Sequence, residues 1–203
     1  MPRLFSIKNP KVPYYGVKEA VFPFNMFHEV DPVLGPEMRS TGEVLGLSEC
    51  FGAAFYKAQE ATQTKLPVKG TVLISVNDPD KNAIMETARG FEKLGFNILA
   101  TNKTYEFLTD KGIKNIKKIY KINEGRPNIS DAITNGEIQM VINTPMGKES
   151  AVDDSYIRKA AIKNRICYVT TVAAANAAVQ GIAFAQTGNI KEVKALQKYH
   201  AEI

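Results

Sequence analysis

From residue 72 onward, short apolar runs rich in β-formers alternate with segments whose apolar positions recur every three or four residues. The short runs lie at 72–76, 96–100, 118–122, 138–143 and 166–170, and each predicts a strand. The spacing between them predicts helices over 78–94, 103–111, 128–135, 153–164 and 171–186, with a last amphipathic piece at 190–199. The first helix opens on Asp78 followed by Pro79, puts Ile84, Ala88, Phe91 and Leu94 on one face, and stops at Gly95. Strand and helix alternating at this spacing predict a parallel sheet with helices on both faces, a three-layer α/β fold.

The first 61 residues read differently. A strand is predicted at 17–24 and an amphipathic helix at 48–61, with Cys50, Phe51, Ala54, Phe55 and Ala58 inward. Residues 31–43 between them are dense in turn formers and poor in core. One or two strands and a helix cannot cover a sheet on both sides, so this part reads as the end of something larger. The polar stretch 62–70, with Pro67 and Gly70, marks the division, giving regions 1–64 and 65–203.

Composition narrows the classes. With 203 residues, 44% hydrophobic and 23% charged, the chain is neither fibrous nor disordered. No apolar run approaches the roughly 20 residues of a membrane span, and the N-terminus lacks a signal-peptide pattern. Cys50 and Cys167 therefore read as reduced thiols of a cytoplasmic protein. Two histidines and two cysteines without paired spacing offer no metal site. The net charge of +5 calls for an anionic partner, but the basic residues are spread along the chain. A small phosphate-bearing ligand therefore fits better than nucleic acid. No GxSxG, P-loop or GxGxxG string occurs, and Cys167 lies in an apolar strand, so nucleophilic catalysis is unsupported.

In an open parallel sheet, ligands bind beyond the carboxyl ends of the strands. There the sequence places Ser75 and then Lys81, Thr101 and Thr104, Lys121 with Glu124 and Arg126, Asn143 and Thr144, and Thr170 and Thr171. Each hydroxyl alone reads more readily as a helix cap than as a ligand. Polar groups at all five ends, with cations and helix starts, meet the needs of a phosphate.

Two sets of strings carry a resemblance. VFPFN at 21–25 and GPEMRSTGEV at 35–44 resemble the close of the second ATP-grasp half of the carbamoyl phosphate synthase large subunit. LISV at 73–76, Asp80-Lys81, ATNKT at 100–104, EGRP at 124–127 and INT at 142–144 resemble that family's C-terminal regulatory domain. The resemblance implies a methylglyoxal-synthase-like (flavodoxin-like) sheet over 65–203 behind an ATP-grasp remnant over 1–64. It implies a C-terminal piece of a longer ligase, inactive alone, whose whole makes carbamoyl phosphate for pyrimidine and arginine synthesis. The substrates would be bicarbonate, glutamine-derived ammonia and two ATP, with ATP and Mg or Mn bound elsewhere and no cofactor in this chain. Arg39, Ser40, Thr41 and Glu43 would close the synthetase module without making it. The implied partners are the rest of the large subunit, a glutamine amidotransferase small subunit and a nucleotide effector, UMP or IMP; self-association is left open.

Matched position by position, the effector would be held by Lys81, Thr101, Thr104, Lys121 and Asn143, with Ser75 and Thr144 beside them. Pro145 stands where some members carry a second threonine. A second effector site, used for ornithine in some members, would take Glu19, Tyr168 and Thr170. Val169 supplies no carboxylate there, which argues against ornithine control. The alternative function is methylglyoxal synthase itself, acting on dihydroxyacetone phosphate. That elimination needs an aspartate base in a glycine-rich stretch after the third strand. The sequence there is EGRPN, with Glu124 and Asp131 the nearest acids, so this alternative is disfavoured.

Overall fold

The structure is a computed structural model, and it describes residues 12–21, 42–62, 65–144, 151–188 and 194–202. Its centre is a parallel sheet of β3 (Thr71–Ser75), β4 (Asn97–Thr101), β5 (Ile116–Ile119), β6 (Met140–Asn143) and β7 (Cys167–Val169). Across the sheet the order is β5-β4-β3-β6-β7. The connecting helices are α2 (Lys81–Lys93), α3 (Asn102–Asp110), α4 (Ile129–Thr134), α5 (Ala151–Lys163) and α6 (Val172–Gln186). Val72, Leu73 and Ile74 are all fully buried, which explains an unbroken apolar run instead of alternation. Their side chains still alternate between faces. Val72 and Ile74 join α2, α3 and α6 in one core cluster, whereas Leu73 joins α4 and α5 in the other.

The three layers are as expected, but the strand order is not that of a flavodoxin. Numbered within the sheet it runs 3-2-1-4-5, where flavodoxin-type sheets run 2-1-3-4-5. Periodicity tells strand from helix and carries no information on which neighbour a strand chooses. The chain leaves β3 toward β4 and β5, then returns to the other side through β6 and β7. Direction therefore reverses between β3 and β6, which opens a crevice at their carboxyl ends.

Local chemistry sets the elements. In α2, Ile84, Ala88 and Phe91 recur at helical spacing and are buried. The helix ends where Gly95 takes φ +80°, while the Phe96 N–H bonds to Phe91 O at 3.0 Å. Phe96 then meets the Phe91 ring edge-on, with centroids 5.3 Å apart. At the other end, α2 starts at Lys81 and not at Asp78. Residues 78–80 form a turn closed by Asn77, whose Oδ1 accepts from the Asp80 N–H at 2.9 Å.

The N-terminal part adds an antiparallel ribbon of β1 (Tyr15–Val21) and β2 (Gly42–Ser48), followed by α1 (Phe51–Ala61). Helix α1 lies on α6, and its Phe55 and Tyr56 enter the same core cluster as Ala178 and Ile182. Strand β2 was not expected. Cys50, expected inward, is exposed: it is the N-cap in extended backbone, one residue before the helical face begins. Strand β5 lies two residues earlier than expected, so Lys121 sits in the turn after it. A last short helix, α7 (Leu196–His200), covers part of the segment expected at 190–199. His200 is exposed, whereas His28, Arg39, Ser40, Thr41, Pro145 and residues 22–24 of the first expected strand lie outside the described residues.

Candidate functional site

A cleft of about 330 Å³ opens at the carboxyl ends of β3, β4, β5 and β6. Ser75, Thr101, Thr104, Lys121, Asn143 and Thr144 line it together. Its size lies at the lower end of the roughly 300–1,000 Å³ usual for small-molecule sites.

Buried hydroxyls and amides form its floor, and Thr101, Thr104, Asn143 and Thr144 are each at most 5% exposed. Neighbouring groups at the strand ends satisfy them, as buried polar groups require. Thr101 Oγ1 donates to Ser75 Oγ at 3.3 Å, and Thr104 Oγ1 accepts from the Val76 N–H at 3.4 Å. Thr144 Oγ1 accepts from the Asn77 N–H at 3.0 Å, tying the end of β6 to that of β3. These contacts separate caps from cleft groups. Thr171 is a cap, its hydroxyl accepting from the Ala174 N–H at 3.1 Å. Thr101 occupies the N-cap position of α3, yet its hydroxyl makes no capping bond and turns to Ser75.

Lysines and carboxylates both line the cleft. Lys103 and Lys121 line the β4–β5 side, beside the N-terminus of α3. The Lys121 ammonium enters no ion pair among the described residues. Lys81 is not among the lining residues; its Nζ pairs with Asp78 Oδ1 at 2.8 Å, and Asp78 is on the cleft wall. That hydrogen bond and the lysine's charge hold the Asp78 carboxyl below its ordinary range. On the β6 side lies Asp154 of α5, 8% exposed. Its Oδ1 accepts from Asn143 Nδ2 at 2.9 Å, and the same nitrogen donates to the Tyr168 hydroxyl at 3.1 Å. Burial pushes the Tyr168 phenol above its ordinary value, partly offset by the bond from Asn143.

Asn77, Asp78, Asn102, Lys103 and Asp154 are polar lining residues absent from the sequence-derived set, whereas Glu124, expected beside Lys121, does line the cleft. Asn102 and Lys103 stand inside the ATNKT string, so the signal for them was present. Asp154, a charge within a helical stretch, carried none. Asn102 lines the cleft, and its Oδ1 is buried without a hydrogen-bond partner among the described residues.

The second set does not gather around one cavity. Tyr168 joins Leu73 and Val141 on one face of the sheet. Glu19 of β1 stands near Cys167, whose side chain points to the opposite face. Burial raises the Glu19 carboxyl, and a hydrogen bond from Gln59 partly offsets this. Thr170 is exposed just past β7.

Residues 83–170 match the MGS-like domain family, and that span covers the cleft-bearing ends of β4, β5 and β6. Fold and match together make the C-terminal part of this chain an MGS-like α/β domain. Over nearly its whole length the chain is also similar to carbamoyl phosphate synthase large chains, which bears out the resemblance read from its strings. It is 50% identical over 188 residues to the large chain of Gemmatimonas aurantiaca, covering 93% of this chain and 17% of that one. It is 52% identical over 178 residues to the large chain, C-terminal section, of Aquifex aeolicus, covering 88% of this chain and 33% of that one. The chain thus spans well under half the length of either relative. A crystal structure of methylglyoxal synthase from Elizabethkingia anophelis aligns over 56% of this chain and 79% of its own, with 20% identity and a TM-score of 0.43. Among the described residues, no helix is long and apolar enough to cross a membrane.

Proposed function

We propose that this chain is the C-terminal, allosteric region of a carbamoyl phosphate synthase large chain, and that its cleft binds a nucleoside monophosphate, UMP or IMP. Residues 65–203 form the effector domain in this reading, and 1–64 close the ATP-grasp module before it. Carbamoyl phosphate synthesis belongs to the whole cytoplasmic ligase, with ATP and Mg or Mn held in the rest of the large subunit. Ammonia comes from a glutamine amidotransferase subunit. The chain alone makes no carbamoyl phosphate.

The observation that carries the effector reading is the polarity of the cleft. Lys103, Lys121 and the start of α3 lie at one end, with Asp78 near Lys103 and Glu124 beside Lys121, while Asn143 and Asp154 lie at the other. An anion favours the first end, where ammonium groups and helix amides point. Hydroxyls or ring N–H groups favour the second, where the Asn143 carbonyl oxygen can accept. A nucleoside monophosphate offers both kinds of group, and a free phosphate only one. Such an effector shifts the ligase only by the difference between its affinities for two states. Methylglyoxal synthase chemistry gains no support from the acids after β5. Asp131 is engaged in the capping box of α4 with Asn128, and Glu124 Oε2 accepts from the Lys121 backbone N–H at 3.1 Å.

Calorimetric titration of UMP and uridine tests the reading on wild type and Lys121→Ala. Losing one charge-assisted phosphate contact costs about 1.5–3 kcal/mol, tenfold or more in affinity. Lys121→Ala is expected to weaken UMP by that factor while leaving Tm without ligand almost unchanged. Uridine is expected to bind far more weakly than UMP. Equal affinities for UMP and uridine, or an indifferent mutant, would move the phosphate site elsewhere.

A further inference from the structure

Asn143 is 2% exposed and stands in the cleft wall with its side-chain nitrogen fully engaged. Its two amide hydrogens have two acceptors, Asp154 Oδ1 at 2.9 Å and the Tyr168 hydroxyl at 3.1 Å. A phenol can donate or accept, so Tyr168 alone would leave the amide free to turn over. A carboxylate only accepts. Turning the amide would set the Asn143 carbonyl oxygen against the Asp154 carboxylate, two lone pairs facing each other where water is excluded. Asp154 therefore dictates the orientation, and what Asn143 has left for a ligand is its carbonyl oxygen.

We infer that Asn143 reads the ligand as a hydrogen-bond acceptor and that Asp154 is the positioning residue that holds it so. The cleft then selects nucleotides that present a donor at its β6 end, either a ribose hydroxyl or a ring imide N–H. This inference rests on the nucleotide reading of the cleft and adds a rule of selectivity to it. A site built to bond a donor rejects an analogue lacking it more strongly than an apolar pocket rejects a change of shape, because the buried acceptor is left unpaired.

Calorimetric titration of the intact chain separates the two sources of the donor. CMP keeps the ribose but carries a ring acceptor where UMP carries an imide N–H. The 2′-fluoro and 3′-fluoro analogues of UMP keep the imide but each replaces one hydroxyl donor with an acceptor. At least one of these ligands is expected to bind wild type about tenfold or more weakly than UMP, and which one identifies the donor. In Asp154→Asn the neighbour can donate as well as accept, so Asn143 can turn. The penalty is then expected to fall to about threefold or less, with the ratio of UMP to uridine affinity retained. Tyr168→Phe keeps the carboxylate and is expected to keep the penalty. Should Asp154→Asn fail to fold, Asn143→Ala carries the test, and the analogues are expected to converge there. The inference is overturned if no analogue is penalised in wild type. It is also overturned if the penalty survives Asp154→Asn, or if that change weakens every ligand by a common factor, as a merely structural residue would. Equal binding of UMP and uridine is a separate result: it sinks the phosphate reading, and this inference with it.

Discussion

Cys50 and Cys167 have the same chemistry and opposite surroundings. Cys167 is 3% exposed at the start of β7, where burial, with a smaller contribution from the charge of Glu19, pushes its thiol up to about 12. Cys50 is exposed just before α1. Alkylation requires the thiolate and access to it. Iodoacetamide at about pH 8 is therefore expected to modify Cys50 alone in the native chain and both thiols in denaturant, read as added mass. Rapid double labelling of the native chain would mean that β7 opens readily. The inert Cys167 was legible in the sequence because it lies inside an apolar run. Cys50 was not, since helical spacing is blind to whether a residue stands just inside or just outside the first turn. Asp154 shows the same limit at the cleft. A charge on a helix reads as solvated, and only the packing of α5 against β6 and β7 buries it beside Asn143.

At the scale of elements, β2 escaped the sequence because its glycines read as turn formers. Gly46 lies in the middle of the strand and serves close approach: a Cβ there would fall 2.1 Å from Ala54 O and 2.6 Å from Ala58 N, both backbone atoms of α1. Backbone cannot step aside as a side chain can, so Gly46→Ala must lift the ribbon off α1. Overpacking of this kind costs about 1–3 kcal/mol. Thermal unfolding is expected to show a clear loss of Tm for Gly46→Ala. Gly16→Ala, whose Cβ would meet only the Leu47 and Leu45 side chains at 3.5 Å and beyond, is expected to leave Tm nearly unchanged. Equal effects would mean that the ribbon does not seat on α1 as described. Strand β5 slipped by two residues for a related reason. Its exposed Lys117 and Lys118 guard a sheet edge, so the strand carries few of the apolar residues that announce one.

At the scale of the whole molecule, alternation of strand and helix announced a parallel sheet but not its order, and the order creates the cleft. Because β6 returns beside β3, Asn143 comes opposite Ser75 in register, and loops from four strands meet there. The opposite end of the chain serves a different task. Lys194 Nζ donates to the Tyr14 hydroxyl at 2.8 Å and sits 4.9 Å and 4.7 Å from the Tyr14 and Tyr199 ring centroids. Those rings meet edge-on, and the Tyr199 hydroxyl donates to Leu47 O at 3.2 Å. The C-terminal segment thus straps the ribbon, through a partly exposed cation–π contact worth about 0.5–1 kcal/mol with hydrogen bonds beside it. None of these groups lines the cleft. A chain ending at Gly188 is therefore expected to lose a few degrees of Tm, since about 1 kcal/mol shifts a chain of this size by roughly 2–4 °C. Amide exchange is expected to quicken in β1 and β2 but not in β3 or β6. UMP affinity is expected to stay within about twofold, because no residue of the strap lines the cleft. If UMP binding weakened with the strap removed, ribbon and cleft would be coupled through α1 and α6, and the tail would have to be counted part of the effector switch.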